Sequence, residues 1–395
     1  MKITCGISVY WPSVNGASTY AHELTRAVAQ VHRVEVITQS NENRHDWLYT
    51  PTLDSRGGCE YYDGKAKVHL LGPNGFEKFL LWPAVNLYYS LHRISFKILC
   101  WVFRKKILSL VKDSDILHNY LLDMDYFNYL LYESASGFGI PYIVTPFVHN
   151  SNRWQDEFSS LRFELVKKAD AIITLTQTEK DWLGKLGLDI KKIHVVSGAP
   201  VLAPNYDAES FREKYHINGN MVLFIAAKRR YKGYPLILEA MKYVWTEHPD
   251  TYFVFIGLET AESSELFSRY KDGRVIDIGV VDLEEKTSAL SACDIFCMPS
   301  TAESFGIVFV EAWAMSKPVI GGDCLSTREV IDDGKNGFIV VQEPKALAEK
   351  ITLLLNDGNL RREMGEAGRQ KVLENYTWER AARKLENIYL GLLAS

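Results

Sequence analysis

The chain reads Ser300-Thr301-Ala302-Glu303-Ser304-Phe305-Gly306-Ile307-Val308-Phe309-Val310-Glu311 at the point that decides its fold. In the preceding residues 294–298 an aspartate is followed by four apolar residues, a run typical of a buried strand. Residues 305–315 are apolar enough for a buried helix, which has to end before Pro318. A strand followed directly by a helix is the repeating unit of an α/β domain. The sequence therefore predicts a strand-to-helix turn here, and the same alternation continues in both directions.

Two carboxylates flank this turn. Glu303 stands at the predicted helix entrance and Glu311 inside the helix, about 11–12 Å further along the axis if the helix begins near Ser304. Free backbone N–H groups and the positive end of the helix dipole lie between them and favour a phosphate or diphosphate. Because carboxylates accept hydrogen bonds from sugar hydroxyls, the pattern suggests a sugar-nucleotide site. The alternative is a helix-start acid at Glu303 and a solvated helix residue at Glu311.

Short apolar runs alternate with longer amphipathic segments along the whole chain. The first series of predicted strands comprises residues 2–9, 33–38, 68–71, 115–118, 142–145, 171–175 and 193–196. The second series comprises residues 221–226, 252–257, 274–278, 294–298, 318–320 and 337–341. Two consecutive series predict two doubly wound α/β domains. Prolines and a glycine in residues 197–205 mark the linker between them.

Composition agrees with two cores and limits the functional classes. The 395 residues are 47% hydrophobic and 12% aromatic, which is enough for two domains of comparable size. A net charge of −4 argues against a general nucleic-acid-binding surface. The six cysteines are scattered without metal-ligand spacing, which is typical of reduced thiols in a cytoplasmic protein. No stretch reaches the roughly 18 uncharged apolar residues that indicate a membrane span.

The passage from Ser300 onward resembles family 4 of the retaining glycosyltransferases. That family has Pro-Ser, a Glu after two further residues, a second Glu after seven more, then Pro-Val-Ile and a late Asn-Gly before a strand. This chain has Pro299-Ser300, Glu303, Glu311, Pro318-Val319-Ile320 and Asn336-Gly337.

The resemblance implies the glycosyltransferase B (GT-B) fold, in which two Rossmann-like α/β domains face each other across a cleft. It places an acceptor-side domain at residues 1–198, a linker at 199–205 and a nucleotide-sugar donor domain at 206–377. It also implies that the last helix, residues 378–395, packs back on the first domain.

Within the donor domain the resemblance implies contacts with each part of the donor. Lys232 and Gly233 match the Lys-Gly pair of the family, in which the lysine grips the diphosphate. Ala227 stands where the family has an arginine, so Lys228 or Arg229 is expected to supply the missing charge. The alternative for this stretch is a solvated basic loop.

The remaining donor contacts follow from the same resemblance. Backbone groups near Val280 are expected to receive the base, and Glu311 the ribose hydroxyls. Glu303 is expected to face the hexose as a catalytic residue. The backbone amides of Ser304, Phe305 and Gly306 suit the phosphates, because they are predicted to begin a helix.

The first domain supplies two further expected site residues. Gly16, at a predicted helix entrance, matches the second of two adjacent family glycines, whereas Asn15 replaces the first. His149 follows a predicted strand and resembles the family histidine near the donor sugar, so it is the second expected catalytic residue. His118 also ends a predicted strand, and its expected role is to support a loop by hydrogen bonding.

The resemblance implies transfer with retention and without a metal or other cofactor. Asp123-Met124-Asp125 imitates the metal-binding Asp-x-Asp motif of the other large glycosyltransferase fold, but that fold has a single domain. We therefore expect a helix start or an acceptor-side loop at these acids. A glycosidase would need two carboxyls about 5–9.5 Å apart flanking one bond, which the predicted axial separation disfavours.

The expected function is hexose transfer from a nucleoside-diphosphate sugar, UDP-glucose being favoured, to a saccharide or lipid-linked acceptor in polysaccharide or glycolipid synthesis. The alternatives are a sugar-nucleotide epimerase and a catalytically silent nucleotide-sugar-binding protein. The location expected is cytoplasmic. Residues 76–110 are aromatic and basic, so they predict either peripheral contact with an anionic membrane or two core helices with one cationic face.

Overall fold

Two units, each built on its own sheet, make up the part of the chain that the structure describes. The structure is a computed structural model, and it describes residues 1–13, 16–42, 46, 48–54, 58–148 and 160–394. The first unit comprises Met1–Val196 together with Trp378–Ser395, and the second comprises Ser197–Thr377.

The sheet of the first unit is almost entirely parallel. Its strands are β1 Lys2–Ile7, β2 Arg33–Thr38, β3 Cys59–Asp63, β4 Ala66–Leu70, β5 Ile116–Tyr120, β6 Tyr142–Thr145, β7 Ala171–Thr174 and β8 Ile193–Val195. They lie in the order β3-β4-β2-β1-β5-β6-β7-β8. Strands β5, β6 and β7 are buried at every position, as expected for strands covered on both faces.

Strand β3 was not predicted from the sequence. It pairs antiparallel with β4 at the edge of the sheet, and Gly64, with φ at +57°, makes the turn between them. Most of its residues are exposed or only half-buried. An edge strand of this kind needs no continuous apolar run, so the apolar pattern that revealed the other strands is absent here.

Helices cover both faces of this sheet. Their bounds are α1 Gly16–Val28, α2 Gly75–Asn86, α3 His92–Val111, α4 Asp125–Phe138, α5 Ser160–Lys167 and α6 Gln177–Lys185. Residues 76–110 thus form most of two consecutive helices, α2 and α3. Their inward side chains, including Leu81, Leu99 and Phe103, belong to the core of the unit. Several large side chains on the other faces of α2 and α3 are exposed.

The second unit has six parallel strands in the described chain. They are β9 Met221–Ile225, β10 Tyr252–Ile256, β11 Val275–Ile278, β12 Ile295–Met298, β13 Val319–Gly322 and β14 Gly337–Val340, in the order β11-β10-β9-β12-β13-β14. The helices of the unit are α7 Ala208–Lys214, α8 Tyr234–Val244, α9 Ala261–Phe267, α10 Leu283–Ala292, α11 Ile307–Ala314, α12 Leu325–Val330, α13 Pro344–Asn356 and α14 Gly358–Asn375.

The strand order places a topological switch point in each sheet. In the second unit the order reverses between β9 and β12, and in the first unit it reverses between β1 and β5. Open α/β sheets bind ligands outside the carboxyl ends of the strands at such points. The loops that follow β9 and β12 are therefore the expected position of a ligand site in the second unit.

The last helix, α15 Trp378–Leu393, belongs to the first unit. It packs against α1, where the Trp378 and Tyr20 rings meet edge to face with centroids 5.9 Å apart. His32 Nε2 also lies 2.8 Å from Glu386 Oε1. The chain thus returns to the sheet in which it began.

The residues predicted as a linker are held by the second unit. The backbone N–H of Val201 donates to Glu311 Oε1 at 3.3 Å, and that of Ala203 donates to Thr287 Oγ1 at 2.9 Å. The division between the units therefore falls directly after Val196, before the prolines.

Candidate functional site

The loop after β12 does not become helical as early as predicted. Helix α11 begins at Ile307, and Gly306 precedes it with φ at +79°. A Cβ at Gly306 would lie 2.6 Å from the Phe309 ring, so only glycine fits there. Ser304, Phe305 and Gly306 therefore stand before the helix rather than inside it. Because Glu303 is not on the helix either, the condition for the predicted axial separation from Glu311, a helix that begins near Ser304, is not met.

Lys232 and Glu303 meet at the switch point of the second sheet. Lys232 Nζ donates to Glu303 Oε1 at 2.7 Å, and the carboxylate is only 5% exposed. Burial alone would lower the pKa of the Lys232 ammonium, but attraction to Glu303 outweighs it and raises that pKa. Lys232 is therefore a fixed positive charge beside a buried carboxylate.

The turn that carries Lys232 is held against the loop after β12. Gly233 has φ at +88°, and a Cβ there would lie 2.3 Å from the carbonyl oxygen of Pro299. The N–H of Thr301 donates to the carbonyl of Tyr231 at 2.8 Å. On the far side, Ser326 Oγ donates to the carbonyl of Glu303 at 2.6 Å. These contacts set Lys232 and Glu303 side by side although 71 positions separate them in sequence.

Glu311 is held by a different set of partners. Its Oε1 accepts from Lys286 Nζ at 2.7 Å and from the N–H of Val201 at 3.3 Å. Its Oε2 is buried and has no hydrogen-bond partner among the described residues. The alternative of a solvated helix residue is therefore wrong, because Glu311 is 1% exposed.

Sequence reasoning missed Lys286. It lies in α10, and its contact with Glu311 joins two helices across 25 positions. No spacing within either helix signals such a pair, and a lone lysine on a helix is ordinarily solvated. Only the packing of α10 near α11 reveals it.

The structure corrects the expectation for Lys228. This side chain is fully buried, donates to the carbonyl of Ile278 at 2.9 Å and forms an ion pair with Asp277. Burial, the largest effect, raises the pKa of the Asp277 carboxyl despite the neighbouring lysine. Lys228 supports the end of β11 and is not available to replace the arginine missing at Ala227. Arg229, by contrast, is exposed.

The carboxyl ends of β9, β10 and β11 meet beside this lysine. A Cβ at Gly257 would lie 2.1 Å from the carbonyl oxygen of Ala226, so the loops after β9 and β10 touch backbone to backbone. The N–H of Gly257 donates to the carbonyl of Gly279 at 3.1 Å. Val280, expected near the base, follows this contact and is 49% exposed.

In the first unit, part of the expected site lies outside the described residues. His149 and Asn15 are both among the residues that the structure does not describe. Gly16 is the first residue of α1, and a Cβ built on it would meet no described atom within 4 Å. Nothing in the described fold therefore requires a glycine at this position.

His118 is a structural residue. Its Nδ1 lies 2.6 Å from the Tyr389 hydroxyl and its Nε2 lies 2.7 Å from Thr145 Oγ1. Burial lowers the pKa of the imidazole to about 3, so the ring is neutral at ordinary pH. The expected hydrogen bonding is confirmed, but it joins β5 to β6 and α15 rather than supporting a loop, because β5 continues past His118 to Tyr120.

Asp123 and Asp125, the two acids of the Asp-x-Asp pattern, take part in local hydrogen bonds. Asp125 is the first residue of α4, as the helix-start interpretation predicted, and its Oδ1 accepts from Arg162 Nε at 2.9 Å. Arg162 also donates to the carbonyl of Asp123 at 3.1 Å. Within the described ranges, no three His, Cys, Asp or Glu side chains are grouped so that they could hold a metal ion.

Comparison with known families identifies the chain. The profile of Glycosyltransferase Family 4 matches residues 14–199, and that of Glycosyl transferases group 1 matches residues 207–371. The chain belongs to the family 4 glycosyltransferases. Together the two matches cover most of both units, including the loops after β9 and β12 at the switch point of the second sheet, but not β1 or α15.

Curated relatives of this family 4 glycosyltransferase match over part of their length. Spore coat protein SA of Bacillus subtilis is 30% identical over 194 residues, which cover 46% of this chain and 52% of the relative. The phosphatidyl-myo-inositol mannosyltransferase of Mycobacterium tuberculosis is 30% identical over 208 residues, covering 49% and 54%. The chain thus spans about half the length of the curated relatives it matches.

Solved structures match over the whole chain. HepE from Anabaena, in complex with UDP-glucose, has a TM-score of 0.75 at 16% identity and covers 100% of both chains. Sucrose-phosphate synthase from Thermosynechococcus elongatus has a TM-score of 0.76 at 17% identity, covering 100% and 99%. At these identities the likeness shows the fold, which is GT-B.

Proposed function

We propose that this protein transfers a hexose from a nucleoside-diphosphate sugar to a saccharide or lipid-linked acceptor with retention of configuration. The observation that carries the proposal is the pairing of Lys232 with Glu303 at the switch point of the second sheet. The positively charged ammonium of Lys232 and the buried carboxylate of Glu303 thus lie together where α/β sheets bind ligands. Family membership and the UDP-glucose held by HepE support a UDP-sugar, with UDP-glucose as the first candidate.

Lys232 can serve both Glu303 and a diphosphate. An ammonium group has three N–H donors, and Glu303 takes one of them. The other two N–H groups can donate to phosphate oxygens. The positive charge of the ammonium also stabilises the negative charge that develops on the leaving group. Arg229 is exposed nearby in sequence and is our candidate for the second cation, because Lys228 is buried with Asp277.

The other donor contacts are assigned in the same way. The Oε2 of Glu311, which has no hydrogen-bond partner in the part of the chain that the structure describes, can accept from a ribose hydroxyl while Oε1 stays on Lys286. The backbone amides of Ser304, Phe305 and Gly306 are proposed for the phosphates. Val280 is proposed beside the base and Glu303 beside the hexose. Gly16 is proposed at the donor diphosphate or sugar, and His149 near the donor sugar as the second catalytic residue.

In the proposed reaction the acceptor hydroxyl attacks the anomeric carbon from the face that the phosphate leaves. The bond from the anomeric carbon to the phosphate oxygen breaks, the bond to the acceptor oxygen forms, and the departing phosphate takes the acceptor proton. No metal is needed in this scheme, because Lys232 supplies charge at the phosphates. The ion pair of Asp125 with Arg162 supports a structural role for the Asp-x-Asp imitation.

We place this activity in the cytoplasm, in polysaccharide or glycolipid synthesis. The six cysteines are all free thiols, which suits a reducing compartment. No described helix combines the length and hydrophobicity needed to span a bilayer. Relatives include the capsular polysaccharide biosynthesis glycosyltransferase CapM of Staphylococcus aureus and the mycobacterial lipid mannosyltransferase, which supports a surface glycan or glycolipid product.

The test is the thermal stability of the purified protein with UDP-, GDP- and ADP-sugars, with and without EDTA. A ligand at 100 times its dissociation constant adds about 2.7 kcal/mol to the free energy of unfolding. We expect a shift with one UDP-sugar that EDTA leaves unchanged, followed by UDP release when an acceptor is added. The absence of any shift, or a shift that EDTA abolishes, would contradict the metal-free proposal. Conversion of the UDP-sugar alone into an isomer would show an epimerase.

A further inference from the structure

Large apolar side chains stand in solvent on one face of α2 and α3. Phe76, Phe79, Trp82 and Trp101 are 70%, 76%, 60% and 68% exposed, respectively. All four line an apolar groove of about 910 Å³, to which Ile98 also contributes. Scattered apolar residues are common on protein surfaces, but a contiguous patch of this kind marks a contact site.

Folding does not account for these side chains. The opposite faces of the same helices place Leu81, Leu99, Phe103 and Ile107 in the core with no exposure. Burial of those residues already anchors both helices to the sheet. The outward aromatic set adds no comparable burial within the part of the chain that the structure describes, so its partner is to be sought elsewhere.

A basic pocket of about 660 Å³ adjoins the apolar groove. Arg93, Lys97 and Arg104 line it, and Trp101 lines both the pocket and the groove. Arg104 is paired with Glu133. Arg93 and Lys97 are exposed and make no ion pair with any residue that the structure describes.

The local charge differs in sign from that of the whole chain. Residues 75–111 contain six lysines and arginines and a single acid, Glu77, whereas the 395 residues together carry −4. That one acid is already bound, because Lys106 Nζ lies 2.5 Å from its Oε2. The surface around the groove is therefore positive, and an anionic partner is favoured.

We propose that α2 and α3 dock this protein on an anionic lipid bilayer. The groove residues enter the boundary between headgroups and acyl chains, and Arg93 and Lys97 contact lipid phosphates. A bilayer offers hydrocarbon and negative charge side by side, which is the arrangement that this surface complements. Trp82 and Trp101 suit this boundary, because tryptophan is enriched at membrane–water interfaces. The docking surface, defined as Phe76, Phe79, Trp82, Trp101, Arg93 and Lys97, does not depend on the proposed transfer reaction.

The experiment is flotation of the full chain with vesicles of phosphatidylcholine alone and with about one third phosphatidylglycerol. We expect flotation only with the anionic vesicles and weaker flotation at high salt. Arg93→Gln with Lys97→Gln should reduce partitioning roughly 30-fold, because each basic residue near such a surface contributes about 1 kcal/mol. Phe76→Ser with Phe79→Ser should reduce it roughly 100-fold.

Matched controls come from the same unit. Tyr62→Ser removes an aromatic ring that is 71% exposed on β3, and Lys185→Gln with Lys191→Gln removes the same charge as the basic pair. Both controls should float like the wild type. All substituted positions are exposed, so unchanged thermal unfolding of every variant verifies that folding is intact.

Other results would overturn the proposal. Equal flotation with neutral and anionic vesicles, or no flotation with either, would exclude an anionic bilayer as the partner. So would full retention of binding in the Phe76→Ser/Phe79→Ser variant. Concentration-dependent dimerisation that this variant abolishes would show that a second copy of the chain covers the face instead.

Discussion

Glu303 and Glu311 are the same residue type in one short stretch, yet their surroundings give them different tasks. Glu303 accepts from Lys232, a residue of the loop after β9. Glu311 accepts from Lys286 and from the backbone of Val201, and keeps one buried oxygen without a partner among the described residues. Glu303 is therefore paired with a lysine, whereas Glu311 keeps an acceptor atom that no described residue occupies.

We predict that Glu303→Gln abolishes transfer while largely sparing UDP affinity. The amide keeps the shape of the side chain but removes the negative charge that pairs with Lys232 and that we propose to face the hexose. Glu311→Gln should instead lower the affinity for UDP, because an amide oxygen is a poorer hydrogen-bond acceptor for a ribose hydroxyl than a carboxylate oxygen is. Calorimetric titration of UDP and a transfer assay measure the two effects separately.

Glu363→Gln is the control for this pair, because it removes the same charge from an exposed position of α14. It should change neither property. An equal loss of UDP affinity in the Glu303 and Glu311 variants would contradict the division of labour between them.

At the scale of elements, a glycine decides where α11 begins. Gly306 adopts a left-handed conformation and leaves no room for a Cβ beside Phe309. Gly16 stands at an equivalent entrance in the first unit, but a Cβ there meets no described atom within 4 Å. The two helix entrances therefore place different demands on the same residue type.

We predict that Gly306→Ala lowers the free energy of unfolding by at least about 1–2 kcal/mol, because alanine is strained in the left-handed region. Gly16→Ala should leave stability within about 0.5 kcal/mol. If Gly16 approaches the donor, as proposed, its variant should still lose donor affinity. Thermal unfolding and titration with the UDP-sugar separate the two effects, and a large destabilisation by Gly16→Ala would contradict this reading of the fold.

The bounds of the strands and helices show which parts of the fold the sequence predicts. Strands buried on both faces, such as β2 and β6, were predicted with the bounds that the structure has, because their apolar runs are continuous. The edge strand β3 was missed because half-buried residues carry no such run. The start of α11 was placed too early, because a left-handed glycine inside an apolar stretch leaves no trace in hydrophobicity.

The residues of the candidate site that belong to a sequence motif could be predicted, whereas those that tertiary packing brings to the site could not. Lys232, Glu303 and Glu311 were named from the sequence. Lys232 and Glu303 are paired at the switch point, and Glu311 is buried in α11 beside Lys286. Lys286 was missed because its partner lies on another helix. Lys228 was misassigned because nothing in the run Lys228-Arg229-Arg230 tells which side chain turns inward toward Asp277.

At the scale of the molecule, the chain closes its first unit with its last helix. Leu385 on α15 is fully buried, whereas Leu390 on the same helix is 49% exposed. We predict that Leu385→Ala lowers the free energy of unfolding by about 2–5 kcal/mol. Leu390→Ala should change it by less than about 0.5 kcal/mol. Thermal unfolding compares the two, and equal effects would mean that α15 does not stabilise the first unit.

Residues 197–205 have a practical consequence for exchanging parts between members of this family. Their backbone N–H groups at Val201 and Ala203 bond to Glu311 and Thr287, so they are built into the second unit. A chimera cut after the prolines would separate the Glu311 carboxylate from the backbone N–H of Val201, one of its hydrogen-bond donors. The junction belongs directly after Val196, and a transplanted second unit should bring residues 197–205 with it.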